Sequence, residues 1–139
     1  MPEEIIHCRG HGNVKATHKS TLEFTKENYL TSKGDCILCV GADRGINDFN
    51  EEFKSALRAG KKLLIRIKVG DLIDEVRAEG SPELILDHEY SMVIRKSTYI
   101  DARTLAIRAN KAAKDIDRRL VELLKNPEAT VEIELAILD

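Results

Sequence analysis

The sequence predicts a mainly β, α+β fold: a two-sheet antiparallel β-sandwich or jelly-roll-like barrel of about eight strands with two helices, with residues 1–139 forming a single domain. Three observations carry this. Apolar and polar residues alternate at period two in several segments. These segments follow one another through turn residues instead of alternating with helices, which favours antiparallel pairing over parallel βαβ winding. Helical spacing is confined to residues 48–59 and 110–125.

In chain order, Glu4 to Arg9 carries the β-branched pair Ile5 and Ile6, and Gly10-His-Gly-Asn13 supplies a turn. Residues 14–25 alternate, with Val14, Ala16, His18, Ser20, Leu22 and Phe24 on the core face and Glu23 on the other. Asp35 to Val40 is an apolar run that reads as a buried strand. Phe49, Phe53, Ala56 and Leu57 recur at helical spacing behind Asp48 as N-cap, and Gly60 ends that helix. Lys62 to Val69 and Leu72 to Ala78 form a hairpin around Gly70-Asp71. Further strand is expected over Leu84 to Leu86 and His88 to Ser97, and residues 104–109 are read as a short strand in preference to a helix. Asn110 then caps a helix whose apolar face is Ala113, Ile116, Leu120, Leu123 and Leu124, stopped at Asn126-Pro127. Ala129 to Ile137 alternates again as a C-terminal strand. No internal repeat, low-complexity tract or linker is visible.

Composition narrows the function classes. Hydrophobic residues make up 42% and charged ones 33%, with a net charge of -2, which is globular. No window approaches a membrane-spanning length, and the acidic N-terminus is unlike a secretory signal, so a soluble cytoplasmic protein is expected. A pI near 6.1 and only 4% aromatic residues argue against nucleic acid as partner. Three cysteines without an export signal fit reduced thiols better than a disulfide framework. Cys36 and Cys39 are three apart on a strand, where their sulfurs diverge, so they read as small buried hydrophobes.

Two constellations could carry chemistry. His7, His11 and His18 fall close together around Cys8, but their spacing matches no zinc signature, and no metal is expected. His18 reads first as a core histidine bonded to a backbone carbonyl; His11 or His18 is the candidate acid/base, with Glu23 or Asp35 to orient it. Around one loop stand Arg95, Lys96, Ser97, Arg103 and Thr104, with Lys111 and Lys114 following. Guanidinium forks, hydroxyls and a helix start are what a phosphate or carboxylate requires, while Asp101, Asp115 and Asp117 could simply neutralise them. Phosphate-loop, nucleophile-elbow and zincin motifs are missing, and no cofactor is indicated.

Cys8-Arg-Gly-His11, Ala16 to Thr25, Gly34-Asp-Cys-Ile37, Val40-Gly-Ala-Asp43, Met92 to Ser97, Arg103-Thr-Leu105 and Ala109-Asn-Lys-Ala-Ala113 together resemble an archaeal family of uncharacterised proteins, a domain of unknown function. The resemblance spans nearly the whole chain. It implies an intracellular archaeal protein with relatives of jelly-roll type, and it implies no established activity. Asn110 stands where that family has an acidic residue; either can cap a helix.

On these grounds the sequence is best read as a binding module for an anionic or phosphorylated small molecule held by Arg95, Lys96 and Arg103. The alternative is a hydrolase or transferase using His11 or His18 beside the same anion site. A third reading is a structural or partner-binding protein, including a homo-oligomer, that pairs through the edge of its C-terminal strand.

Overall fold

The computed structural model describes residues 2–138. Eight strands form two four-stranded sheets. Sheet one holds β1 (Glu3–Arg9), β8 (Thr130–Leu138), β4 (Lys62–Val69) and β5 (Leu72–Glu79), in that order and antiparallel throughout. Sheet two holds β3 (Ile37–Cys39), β2 (Thr21–Thr25), β6 (Ser91–Arg95) and β7 (Thr104–Ala106). Between the sheets lies the core, where Ile6, Leu22, Phe24, Leu63, Ile65, Ile67, Met92, Ile94, Ile133, Leu135 and Ile137 are fully buried. The predicted class and strand alternation therefore hold, as does the strand within 104–109.

The two halves of the chain are copies of one unit, a repeat that the sequence does not reveal. Strand, strand, short strand, 3-10 turn, helix and long strand run from β1 to β4, with Ile46–Asp48 as the turn and α1 (Glu51–Arg58) as the helix. The same series runs from β5 to β8 through the turn Ala113–Asp115 and α2 (Arg118–Leu124). Ala16 and Leu86, at matching places before β2 and β6, both have left-handed backbones with φ of 51° and 59°. His18 and His88 match as well, each accepting backbone N–H groups on Nδ1. Twin strands β4 and β8 pair with each other, and so do β2 and β6, so a pseudo-two-fold axis passes through the middle of both sheets. Because the halves share few residues beyond apolar or polar character, pattern survives where identity does not.

Sheet two departs from the expected antiparallel rule, since β2–β3 and β6–β7 are parallel. A chain that returns to a neighbouring parallel strand must cross one face of the sheet. The inner face is filled by core, so the crossovers 26–36 and 96–103 are left to lie over the outer one. This explains why Thr21, Glu23, Thr25, Ser91 and Thr104, polar and pointing away from the core, are at most 9% exposed. Glu23 was expected on a solvated face and is instead buried.

Each open side between the sheets is sealed by one backbone bridge, Arg9↔Val40 at the β1–β3 side and Glu79↔Ile107 at the β5–β7 side. The strands thus close into a flattened barrel with two seams. The C-terminal strand β8 lies between β1 and β4, so it has no free edge with which to pair another chain.

Local boundaries differ from those expected where backbone or side-chain groups found other partners. Residues 14–20 are loop, not strand, and the backbone N–H groups of Thr17 and His18 donate to the Asp35 carbonyl. Residues 84–86 are likewise loop. Asp48 accepts from Gly45 N in the 3-10 turn, and Asn50 caps α1 by accepting from Glu52 N. Asn110 does not start a helix: its Oδ1 accepts from Arg77 N at 2.9 Å, and Asp117 caps α2.

The disulfide between Cys8 and Cys39 corrects the expectation of reduced thiols and of Cys39 as a plain hydrophobe. It ties β1 to β3 across the first seam, a contact that strand spacing within 35–40 cannot disclose. Cys36 is free.

Candidate functional site

The predicted basic loop is an internally bonded corner. Arg95 Nε donates to Thr104 Oγ1 at 2.9 Å, its guanidinium meets Asp101 Oδ2 at 3.0 Å, and it lies over the Tyr99 ring. The Asp101 carboxyl is held below its usual range: burial opposes this, but the Arg103 N–H, the Thr104 hydroxyl and Arg95 outweigh it. Lys96 pairs with Asp115 at 2.9 Å, and Ser97 Oγ accepts from Tyr99 N. Arg95 and Thr104 are thus brought together, with Asp101 between them; Arg103 is exposed and its side chain makes no hydrogen bond or ion pair among the described residues.

The candidate bases also hold structural bonds. His11 Nδ1 accepts from Asn13 N at 3.0 Å, and His18 Nδ1 accepts from Ser20 N and Thr21 N. His18 is therefore bonded to amides, not to a carbonyl, and it is half-buried. Glu23 faces neither histidine. Its carboxylate accepts from Ser91 Oγ at 2.9 Å and from Cys36 Sγ at 3.5 Å. Burial, and after it the Glu23 charge, pushes the Cys36 thiol up to about 12. At pH 8 the thiolate fraction is then on the order of 10³-fold below that of a free cysteine. Native Cys36 should accordingly be alkylated by iodoacetamide about that much more slowly than the unfolded chain, and an equal rate in both states would refute the burial.

Open space lies beside β1, β8 and the end of β4 in sheet one, and separately at the β5–β7 seam. The first cleft, about 480 Å³, is lined by His7, Cys8, Lys68, Gly70 and Thr130–Glu132. His7 stands between Asp43 (3.3 Å) and Glu132 (3.5 Å), and from Glu132 a ladder of alternating charge crosses the outer face of sheet one. Lys68 follows at 3.6 Å from Glu132 and 3.0 Å from Glu134, then Arg66 between Glu134 and Glu75. Register places these groups side by side on paired strands, which a one-dimensional reading of His7 misses.

The second cleft, about 240 Å³, is lined by Lys62, Arg77, Ala78, Glu79, Arg108 and Asn110. Asn110 matches Asp43: each receives the backbone N–H of its strand, Arg77 or His7, at 2.9 Å. The charge differs sharply between the two. Three cations and one carboxylate line it, and Arg108 is only loosely paired with Glu79 at 3.9 Å. Arg108 also has a left-handed backbone, φ 51°, where the first half has Gly41 at φ 62°. A non-glycine residue held there is strained by about 1 kcal/mol or more. Sequence reading could have found Arg77 and Arg108 only through the repeat, which sets Arg108 opposite a glycine.

Among the described residues no group of His, Cys, Asp and Glu is arranged to hold a metal ion, and no helix is long and apolar enough to cross a membrane.

A two-sheet α+β unit of duplicated halves, with unlike clefts beside β1–β8 and at the β5–β7 seam, is the class of protein that this geometry defines. Residues 6–138 match the family described as Domain of unknown function (DUF371), and the chain belongs to that family. It is 54% identical over 123 residues to an uncharacterised protein of the archaeon Methanocaldococcus jannaschii, covering 88% of this chain and 91% of that protein.

Proposed function

We propose that the protein binds a small anionic ligand, of the phosphate or phosphorylated-metabolite class, in the Lys62–Arg77–Arg108 cleft. The observation that carries this reading is Arg108 itself. A strained backbone position, filled by glycine in the other half, holds a guanidinium whose nearest acid is 3.9 Å away. Lys62 and Arg77 complete a set of three cations from two strands and the segment after β7. The anion contacts thereby move from Arg95, Lys96 and Thr104, which are engaged with Asp101 and Asp115, to the neighbouring seam. Arg108 N bonds the Ser97 carbonyl at 3.0 Å, so the basic loop predicted from sequence borders this cleft.

The test is calorimetric titration with inorganic phosphate, nucleotides and sugar phosphates, using the Arg77→Ala and Arg108→Gly variants as controls. Binding tighter than about 1 mM, or about -4 kcal/mol, is expected for at least one of them. Both substitutions should weaken it at least about tenfold, since a charge-assisted bond contributes about 1.5–3 kcal/mol. Arg108→Gly should at the same time raise the unfolding free energy by about 0.5–1 kcal/mol, because it removes the strain. Gain of stability with loss of binding marks a residue kept for function. If Arg108→Gly lost stability, or bound the ligand as tightly as before, the reading would fall.

A further inference from the structure

Cys8 and Cys39 are joined across the β1–β3 seam with their Cα atoms 5.9 Å apart. At the matching places of the other seam stand Ala78 and Ala106, and that seam keeps the same kind of backbone bridge with no crosslink. A barrel of this kind can therefore stay folded around an uncrosslinked seam, while at the first seam the crosslink adds a restraint that the single backbone bridge lacks. Cys8 lines the larger cleft and retains 7% of its surface, whereas Cys39 is fully buried. Of the two, Cys8 is the residue that keeps any surface and borders a cleft, so it is the one assigned to meet an incoming thiolate. A recess of about 480 Å³ is of a size that admits a small molecule. Cys36, bonded to Glu23, is not placed as an internal partner for exchange.

We propose that this cleft is a thiol-exchange site, where a low-molecular-weight thiol reversibly opens the Cys8–Cys39 disulfide and frees the β1–β3 seam without unfolding the barrel. The thiolate of the small thiol attacks Sγ of Cys8 and forms a mixed disulfide. The Cys8–Cys39 bond breaks, and its electron pair passes to Sγ of Cys39, which takes a proton from water. A second small thiol, as its thiolate, attacks the small-molecule sulfur of the mixed disulfide and releases Cys8, which is then protonated. Two small thiols are thereby oxidised to one disulfide as the protein pair is reduced to two thiols. The oxidised small disulfide drives the reverse reaction.

The experiment treats the native full-length protein with 2-mercaptoethanol, quenches in acid and maps adducts by mass spectrometry, with amide hydrogen exchange in parallel. The adduct is expected on Cys8 alone. Exchange at the Arg9 and Val40 amides should rise at least tenfold on reduction, while that at Glu79 and Ile107 stays unchanged, and 2-hydroxyethyl disulfide should restore the first pair. Reduction that occurs only at denaturant concentrations that unfold the chain would overturn the proposal. So would an adduct on Cys39 or Cys36, or seam amides that ignore reduction. The double substitution Cys8→Ala with Cys39→Ala should reproduce the reduced exchange pattern with unchanged circular dichroism. If that variant cannot fold, the bond is structural and the exchange role is refuted.

Discussion

Alanine in place of Gly80 is expected to destabilise the protein by about 3 kcal/mol or more. Gly80 ends β5 and packs directly on the last turn of α1, bonding its N–H to the Lys61 carbonyl at 2.9 Å. A Cβ at this residue would fall inside the van der Waals radius of the Leu57 backbone carbonyl. Overpacking that a side chain can relieve costs about 1–3 kcal/mol. Here the obstacle is helix backbone, so the relief must come from parting α1 and β5. Gly10 repeats the arrangement against the carbonyls of Leu124 and Asn126 at the end of α2, so Gly10→Ala should behave alike. Urea denaturation measures both, and a loss below about 1 kcal/mol in each would show that strand and helix separate easily.

Next in size is the loss of a buried carboxylate that ties a strand to a helix start. Glu4, 6% exposed, meets Arg44 at 2.6 Å and accepts the Asn50 N–H, and so holds the N-cap residue of α1. In the second half Asp74 does the same, with Lys111 as its cation and the Asp117 N–H as its donor. Glu4→Ala leaves the Asn50 N–H unpaired and takes the carboxylate from Arg44, which keeps its bonds to the Ile5 and Asp48 carbonyls, so the loss is expected at about 2–3 kcal/mol. Glu134→Ala, in the half-exposed ladder of sheet one, should cost about 1 kcal/mol or less, and less still in high salt. Equal losses for Glu4→Ala and Glu134→Ala would mean that burial, which separates the two cases, is not what matters.

Much of the fold was readable because its signals are local. Leu63, Ile65, Ile67 and Val69 alternate with Lys62, Arg66 and Lys68, and they appear in β4 with that same face buried. Failures came where one polar residue had two uses. Asp48 and Asn110 are both competent caps, yet Asp48 serves the Gly45 N–H of a local 3-10 turn and Asn110 serves the distant Arg77 N–H that strand packing brings to it. Of the candidate site, the basic character of the region around Arg95 to Arg108 was visible. Which of its cations are spent internally was not, because Asp101 and Asp115 neutralise particular ones through loop geometry.

By itself the sequence determined the strand-rich class, the approximate place of each helix and the family, since periodicity and residue type are properties of short windows. Tertiary structure alone decided the duplication, the parallel pairs of sheet two, the disulfide and the two clefts. Each of these joins residues far apart in the chain, as Cys8 does with Cys39 and Arg77 with Arg108. Their meeting depends on strand order and register, which follow from how two half-units bury their apolar faces against each other.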